Sequence, residues 1–417
     1  MASNNSFLNS FISKIVSVAS KYDGKGLAQL LYLPTSPSDD AKMNGLAQQI
    51  GATKNFKKYC FDHLDRIGID SDVFALRLEA LQFCMLGDYD NAYKNMLDAF
   101  EILLEIVSQE PFLVHLLTRY ANDLRLIALL SDTSSSTASI NARPVYTNLR
   151  NCQTAITKAF TTVAKDRNPI TDPHCKKLAI FSVTNVLFKI YFKLNTLQLM
   201  GKLIKQINQT PVYMQNLKLF PLCDVVTYQY YVGRLSLFED NIEKARECLR
   251  FAFEHCPRYS QRNRQRILTS LVPINMSLGL MPTLKISTDY GLSSLVELGN
   301  AAQVGDLQTF NRVFSENRAV FIRMGIYLVI EQAKGLVYRN LFKRFHLITQ
   351  STRLSIEEFK KAMTWLGEDV DLDEIECILA NLIFDKKVKG YLSHGKRILV
   401  VGKSDPFPTD VVKRAKI

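Results

Sequence analysis

SIEEFKKAMTWLGEDVDLDEIECILANLIFDKKVKGYLSHGKRILVVGKS occupies Ser355–Ser404, and its period changes along the way. Over Ser355–Leu366, the apolar residues Ile356, Phe359, Met363 and Leu366 recur at three- and four-residue spacing, so they share one helix face. Ser355 and Glu358 stand at capping-box spacing at its start. A second helix is predicted after Asp371, with Glu374 at the capping-box position and Leu372, Ile375, Ile378, Leu379 and Leu382 facing inward. The period then falls to two, which predicts strands over Val388–Leu392 and Arg397–Val401 around the turn Ser393-His394-Gly395-Lys396. A helix predicted over Ala333–Leu347 precedes them. Three helices and a β-hairpin make a winged-helix arrangement.

Upstream, the chain reads as helix. Leu76–Met85 and Asn91–Val107 are amphipathic segments joined by Gly87-Asp88-Tyr89-Asp90, a helical hairpin. The pattern returns at Tyr228–Phe238 and Ile242–His255, joined by Glu239-Asp240-Asn241. Tyr231, Gly233, Ala245 and Ala252 fall where the paired helices must approach closely. No strict 34-residue period is visible, but the pattern resembles tetratricopeptide stacking. The predicted fold is therefore mainly α: a helical-repeat stack closed by a C-terminal winged helix. Ser131–Ser139 (SDTSSSTAS) reads as a linker or exposed loop, as does Leu33–Asp40 (LPTSPSDD).

Composition narrows the function classes. The 417 residues carry 52 Lys+Arg against 40 Asp+Glu, a net charge of +12, which favours a polyanionic partner, nucleic acid or acidic protein. The 47% hydrophobic content is that of a folded chain. Eight cysteines are scattered without a CxxC, and Met1–Ser10 is polar, so a reducing, intracellular setting with free thiols is expected. The apolar run Phe321–Ile330 is broken by Arg323 and falls short of the roughly 20 residues a membrane span needs, so no membrane role is expected.

Gly402-Lys403-Ser404 has the ending of a phosphate-binding loop, but that loop needs glycine five positions before Gly402, where Arg397 stands. Pro406 and Pro408 oppose the helix that should follow. The pairs His174-Cys175 and His255-Cys256 lack the further spaced ligands of a zinc site. No nucleophile, paired-carboxylate or metalloprotease motif stands out. No cofactor, metal or catalytic residue is expected.

The basic clusters say more. Arg258, Arg262, Arg264 and Arg266 lie in CPRYSQRNRQRIL without an intervening acid, and Arg262 and Arg266 share a face if the segment is helical. Lys343 and Arg344 close the first winged helix, whose Phe342 and Phe345 read as core. Lys386, Lys387, Lys389, Lys396, Arg397 and Lys403 decorate the wing around Tyr391. Any one such cluster is equally a solvated basic face. Three in one half of the chain favour a polyanion surface. Asp371, Asp373, Glu374 and Glu376 open the third winged helix; they suit a helix N-terminus and oppose base reading in a DNA groove. Nucleic-acid binding is expected through the phosphate backbone, centred on the wing.

LFKIYFKLNTLQL (Leu187–Leu199), the stretch from Val226 to Leu268, FIRMGIYLVIEQAKGLVYRNLFKR (Phe321–Arg344) and Asp369–Val401 closely resemble one PCI family. It is the PCI-domain subunit of the TREX-2 messenger-RNA export complex, related to the subunit-12-like proteins of the COP9 signalosome. The resemblance covers most of residues 180–405; the first 180 residues fit in length and helical character. It implies helical repeats over 1–215, the helical part of a PCI domain over 216–332, its winged helix over 333–405 and a tail over 406–417. It also implies a non-enzymatic nuclear subunit at the nuclear pore that binds RNA or DNA. The partners implied are a large GANP-type scaffold and a small acidic disordered protein shared with the proteasome lid. The competing expectation is a purely structural subunit of a proteasome-lid- or COP9-signalosome-like assembly.

Overall fold

A computed structural model describes residues 6–33, 41–64, 68–136, 145–172, 175–408 and 413–414. The chain divides into two compact units, Met1–Tyr228 and Gln229–Ile417.

The first unit is helical. Its elements are α1 (Ser6–Ala19), α2 (Gly24–Leu30), α3 (Ala41–Ala52), α4 (Phe56–Leu64), α5 (Asp72–Leu86), α6 (Tyr89–Gln109), α7 (Val114–Ser136), α8 (Thr147–Ala164), α9 (Ile180–Leu194), α10 (Leu197–Asn208) and α11 (Pro211–Gln215); the division falls within α12 (Leu222–Phe238). Helices α5 to α9 pack in sequence, each on the next. The predicted hairpin is α5–α6. Gly87 ends α5 at φ 79°, a left-handed conformation that costs glycine nothing, and Asp88 caps α6 by accepting from the Asn91 N–H at 3.2 Å. Helix α5 buries residues around its whole circumference, including Arg77, whose Nη2 reaches Asp123 Oδ2 at 2.5 Å and Leu31 O at 2.6 Å.

The predicted loop at Ser131–Ser139 is corrected over its first part: α7 continues through Ser136. Tertiary contacts overrule the low helix propensity of SDTSSS. Asp132 accepts from the Asn148 and Leu149 N–H groups at 3.0 and 2.9 Å, and Asn148 Nδ2 donates to Ser131 Oγ at 2.7 Å. Residues 137–139 lie outside the described residues, as do 34–40 of the second predicted loop and His174.

The second unit continues with α13 (Ile242–His255), α14 (Gln261–Ser277), β1 (Leu280–Met281), α15 (Leu284–Tyr290), α16 (Ser293–Val304), α17 (Leu307–Glu316), α18 (Arg318–Met324) and α19 (Tyr327–Thr349). The second predicted hairpin is the C-terminal part of α12 with α13, and its tight approach is visible at Gly233: a Cβ there would stand 2.7 Å from Leu249 Cγ. Helix α14 packs on α13 and α19.

The winged helix follows as α19, β2 (Arg353–Ser355), α20 (Ile356–Trp365), α21 (Leu372–Phe384), β3 (Gly390–Ser393) and β4 (Ile398–Val401). The sheet order is β2-β4-β3, antiparallel throughout, and β2 is a strand the sequence periodicity does not reveal. Leu354, Leu399 and Leu392 align across it and face the helices, while Arg353, Val400 and Tyr391 form the neighbouring row on the other face. Phe342 is core as predicted and Phe345 is half-buried at its edge: both rings pack on Phe359, with centroids 4.6 and 4.4 Å away. Asp371 caps α21 by accepting from the Glu374 N–H at 2.6 Å. At α20, Ser355 is the N-cap residue but its hydroxyl makes no cap bond; the Ile356 N–H instead donates to Arg397 O at 3.0 Å. A last strand, β5 (Lys413–Arg414), pairs parallel with β1.

Candidate nucleic-acid interface

The twelve basic residues singled out in the sequence lie on three surfaces of the second unit, and their side chains meet different fates. At the turn between α13 and α14, Arg258, Arg262 and Arg266 are exposed. The segment is helical from Gln261, so Arg262 and Arg266 do share a face. Arg264 points inward. Its Nη1 donates to Cys256 O at 2.8 Å, its Nε donates to Tyr290 Oη at 3.0 Å, and its guanidinium lies 4.0 Å from the Phe253 ring centroid. That side chain clamps the turn.

On α19, Lys343 is half-buried and Arg344 exposed, its Nη1 donating to Val304 O at 3.3 Å. Arg344 also faces Asp306, whose carboxyl is held below the usual carboxylate range, first by the Thr309 N–H.

The wing separates into engaged and open charges. Arg397, at φ 52°, closes the hairpin and reaches back to α21, with Nη1 2.6 Å from Asp373 Oδ1 and 3.0 Å from Glu376 Oε1. His394 Nδ1 lies 2.6 Å from Glu376 Oε2. Thus two of the four acids that open the third winged helix are engaged by the wing. Lys387 pairs with Asp385 at 2.9 Å and Lys389 with Asp405 at 3.2 Å. Lys386, Lys396 and Lys403 are exposed and make no ion pair among the described residues. Gly402 closes no phosphate loop: its N–H donates to Lys389 O at 2.8 Å, and irregular chain follows rather than a helix.

The structure adds two residues that the sequence reading did not single out, one at the wing and one at the turn between α13 and α14. Arg353 sits on the outer sheet face in register with Tyr391 and is exposed, as Tyr391 is. Its strand is three residues long, too short to read from periodicity. Tyr259 is 89% exposed beside Arg258. An aromatic among arginines is the sequence signal that could have found it. No group of His, Cys, Asp and Glu side chains among the described residues is placed to hold a metal ion. No described helix is long and apolar enough to cross a membrane.

Residues 314–403 match the PCI domain family, the span from α17 to the end of the wing. A Drosophila melanogaster PCI domain-containing protein 2 homolog is 32% identical over 96% of this chain and 98% of its own length. The chain belongs to the PCI domain-containing protein 2 family. A Dictyostelium discoideum homolog of the same protein is 35% identical over 81% of this chain and 78% of its own. A Gibberella zeae protein described as a CSN12 homolog is 26% identical over 96% of this chain and 99% of its own. The sequence resemblance to a PCI family with subunit-12-like relatives therefore holds, and so does the helical stack with a winged-helix end.

Proposed function

We propose that this PCI protein is a non-enzymatic scaffold and nucleic-acid-binding subunit of a TREX-2-like complex that couples transcription to messenger-RNA export in the nucleus, at the pore. Its partners in this reading are a large GANP-type scaffold subunit and a small acidic disordered protein. The observation that carries the nucleic-acid part is the open charge on the wing: Lys386, Lys396 and Lys403 are exposed, while their neighbours Lys387, Lys389 and Arg397 are tied to carboxylates. Three unengaged ammonium groups, Lys396 at the hairpin turn and Lys386 and Lys403 on the segments flanking the hairpin, suit phosphates, which need charge more than fixed geometry. The carboxylates of α21 keep the contact away from base reading.

The test is RNA binding by the full chain, alone and with its scaffold, across a salt series. Replacing Lys386, Lys396 and Lys403 by Ala is expected to weaken binding of all sequences alike. Each lost phosphate contact should lower the log–log salt slope by about 0.7 for a single strand. An unchanged slope would remove the wing from the interface.

The CSN12-homolog relative favours a second reading, a structural subunit of a signalosome- or lid-like assembly. Recovery of lid or signalosome subunits without RNA, by affinity capture and mass spectrometry, would establish it. Recovery of export factors with the scaffold supports the first.

A further inference from the structure

The turn between α13 and α14 is built to hold an aromatic ring in water. The Ser260 N–H donates to Pro257 O at 3.0 Å, closing a four-residue turn over Pro257, Arg258, Tyr259 and Ser260. Arg264 fastens that turn from beneath: Nη1 donates to Cys256 O at 2.8 Å and Phe253 O at 3.3 Å, while the guanidinium stacks on Phe253. Tyr259 therefore stands 89% exposed on an ordered support. Arg258 precedes it in the turn, Arg262 and Arg266 follow on one face of α14, and all three are exposed without an ion pair among the described residues. The segment from His255 to Thr288 contains neither Asp nor Glu. Of the acids that bound it, Glu254 is paired with Arg250 at 2.7 Å, and Asp289 adjoins the Tyr290 that faces Arg264.

Guanidinium groups bind phosphate oxygens through paired N–H donors. A tyrosine ring stacks on a base face only where the base is unpaired, because a duplex covers its base faces with neighbouring pairs. We infer that Arg258, Tyr259, Arg262 and Arg266 form a single-strand site on the helical part of the second unit, with a base on Tyr259 and phosphates on the arginines. This rests on the nucleic-acid reading above and narrows its ligand to unpaired polynucleotide. An acidic polypeptide would satisfy the arginines but leave the ring without a role.

The experiment is fluorescence anisotropy of the full chain with labelled oligouridine, DNA of matching sequence, and a blunt RNA duplex. Tyr259→Ala is expected to weaken oligouridine binding by about 5- to 150-fold, the range of one aromatic–base stack, and to leave duplex binding unchanged. Tyr259→Phe should retain the affinity. Equal loss on the DNA is expected, since neither ring nor guanidinium requires a 2′-hydroxyl; a loss confined to RNA would overturn the stacking. If Tyr259→Ala binds oligouridine like wild type while the triple wing variant is impaired, the inference fails and the nucleic-acid reading stands. If the wild-type chain binds none of the three probes, both fail. If Arg258→Glu with Arg262→Glu abolishes binding of polyglutamate and spares RNA, the patch is a protein surface and the inference is rejected.

Discussion

Glu376 joins the third winged helix to the wing. His394 and then Arg397 hold its carboxyl below the usual glutamate range. Because the folded value is depressed, the stabilisation is complete above the ordinary value near ~4.3 and is lost as pH falls through the folded value. Glu376→Gln removes that dependence. We expect the wild type to exceed the variant in stability near neutral pH and the difference to close in acid, measured by denaturant unfolding across the range. A difference independent of pH would show that Glu376 acts by packing alone. Arg397 and Arg264 carry a related lesson. Both read from sequence as surface charge, and both are engaged by other groups of the protein, because a charge finds its partner through chain distance that periodicity does not measure.

At the scale of elements, long amphipathic helices are legible and short or polar ones are not. Helices α20 and α21 follow their apolar spacing, since burial of one face drives them. The end of α7 follows no such rule: its Ser131 and Asp132 are held by contacts to α8, which begins 15 residues after Asp132. Asp132→Ala is expected to cost the first unit about 1–2 kcal/mol by leaving two N–H groups at the start of α8 without an acceptor. Chemical denaturation checks this; a change within a few tenths would mean water replaces the carboxylate. Strand β2 escapes the sequence for a different reason: three residues give no period, and only pairing with β4 makes them a strand.

At the scale of the whole second unit, residues 406–408 are fastened to α19 and the wing. Phe407 is buried, Arg339 Nη2 donates to Pro408 O at 2.7 Å, and Nη1 donates to Asn340 Oδ1. The Lys389 N–H donates to Pro406 O at 2.8 Å. Arg339→Met preserves bulk but strips donors from the buried Asn340 Oδ1 and the part-buried Pro408 O, and a buried acceptor left unmade costs about 1–3 kcal/mol. We expect a lower melting temperature and faster proteolysis beyond Ser404. Equal proteolysis rates for variant and wild type would rule out this anchor. The net charge of +12 belongs to this scale too, since it supplies long-range attraction for a polyanion while saying nothing of where contact is made.

The sequence by itself determined the helical class, the two hairpins, the winged-helix order and the family, because periodicity and turn chemistry are local and survive in one dimension. It also located three basic clusters. Only the tertiary structure decided which charges remain open. It turned Arg264 into a clamp and Arg397 into a lock, left Lys386, Lys396 and Lys403 free of ion pairs among the described residues, and left Tyr259 exposed along with Arg258, Arg262 and Arg266. Exposure and pairing depend on neighbours distant in sequence, so the availability of a charge is a property of the fold.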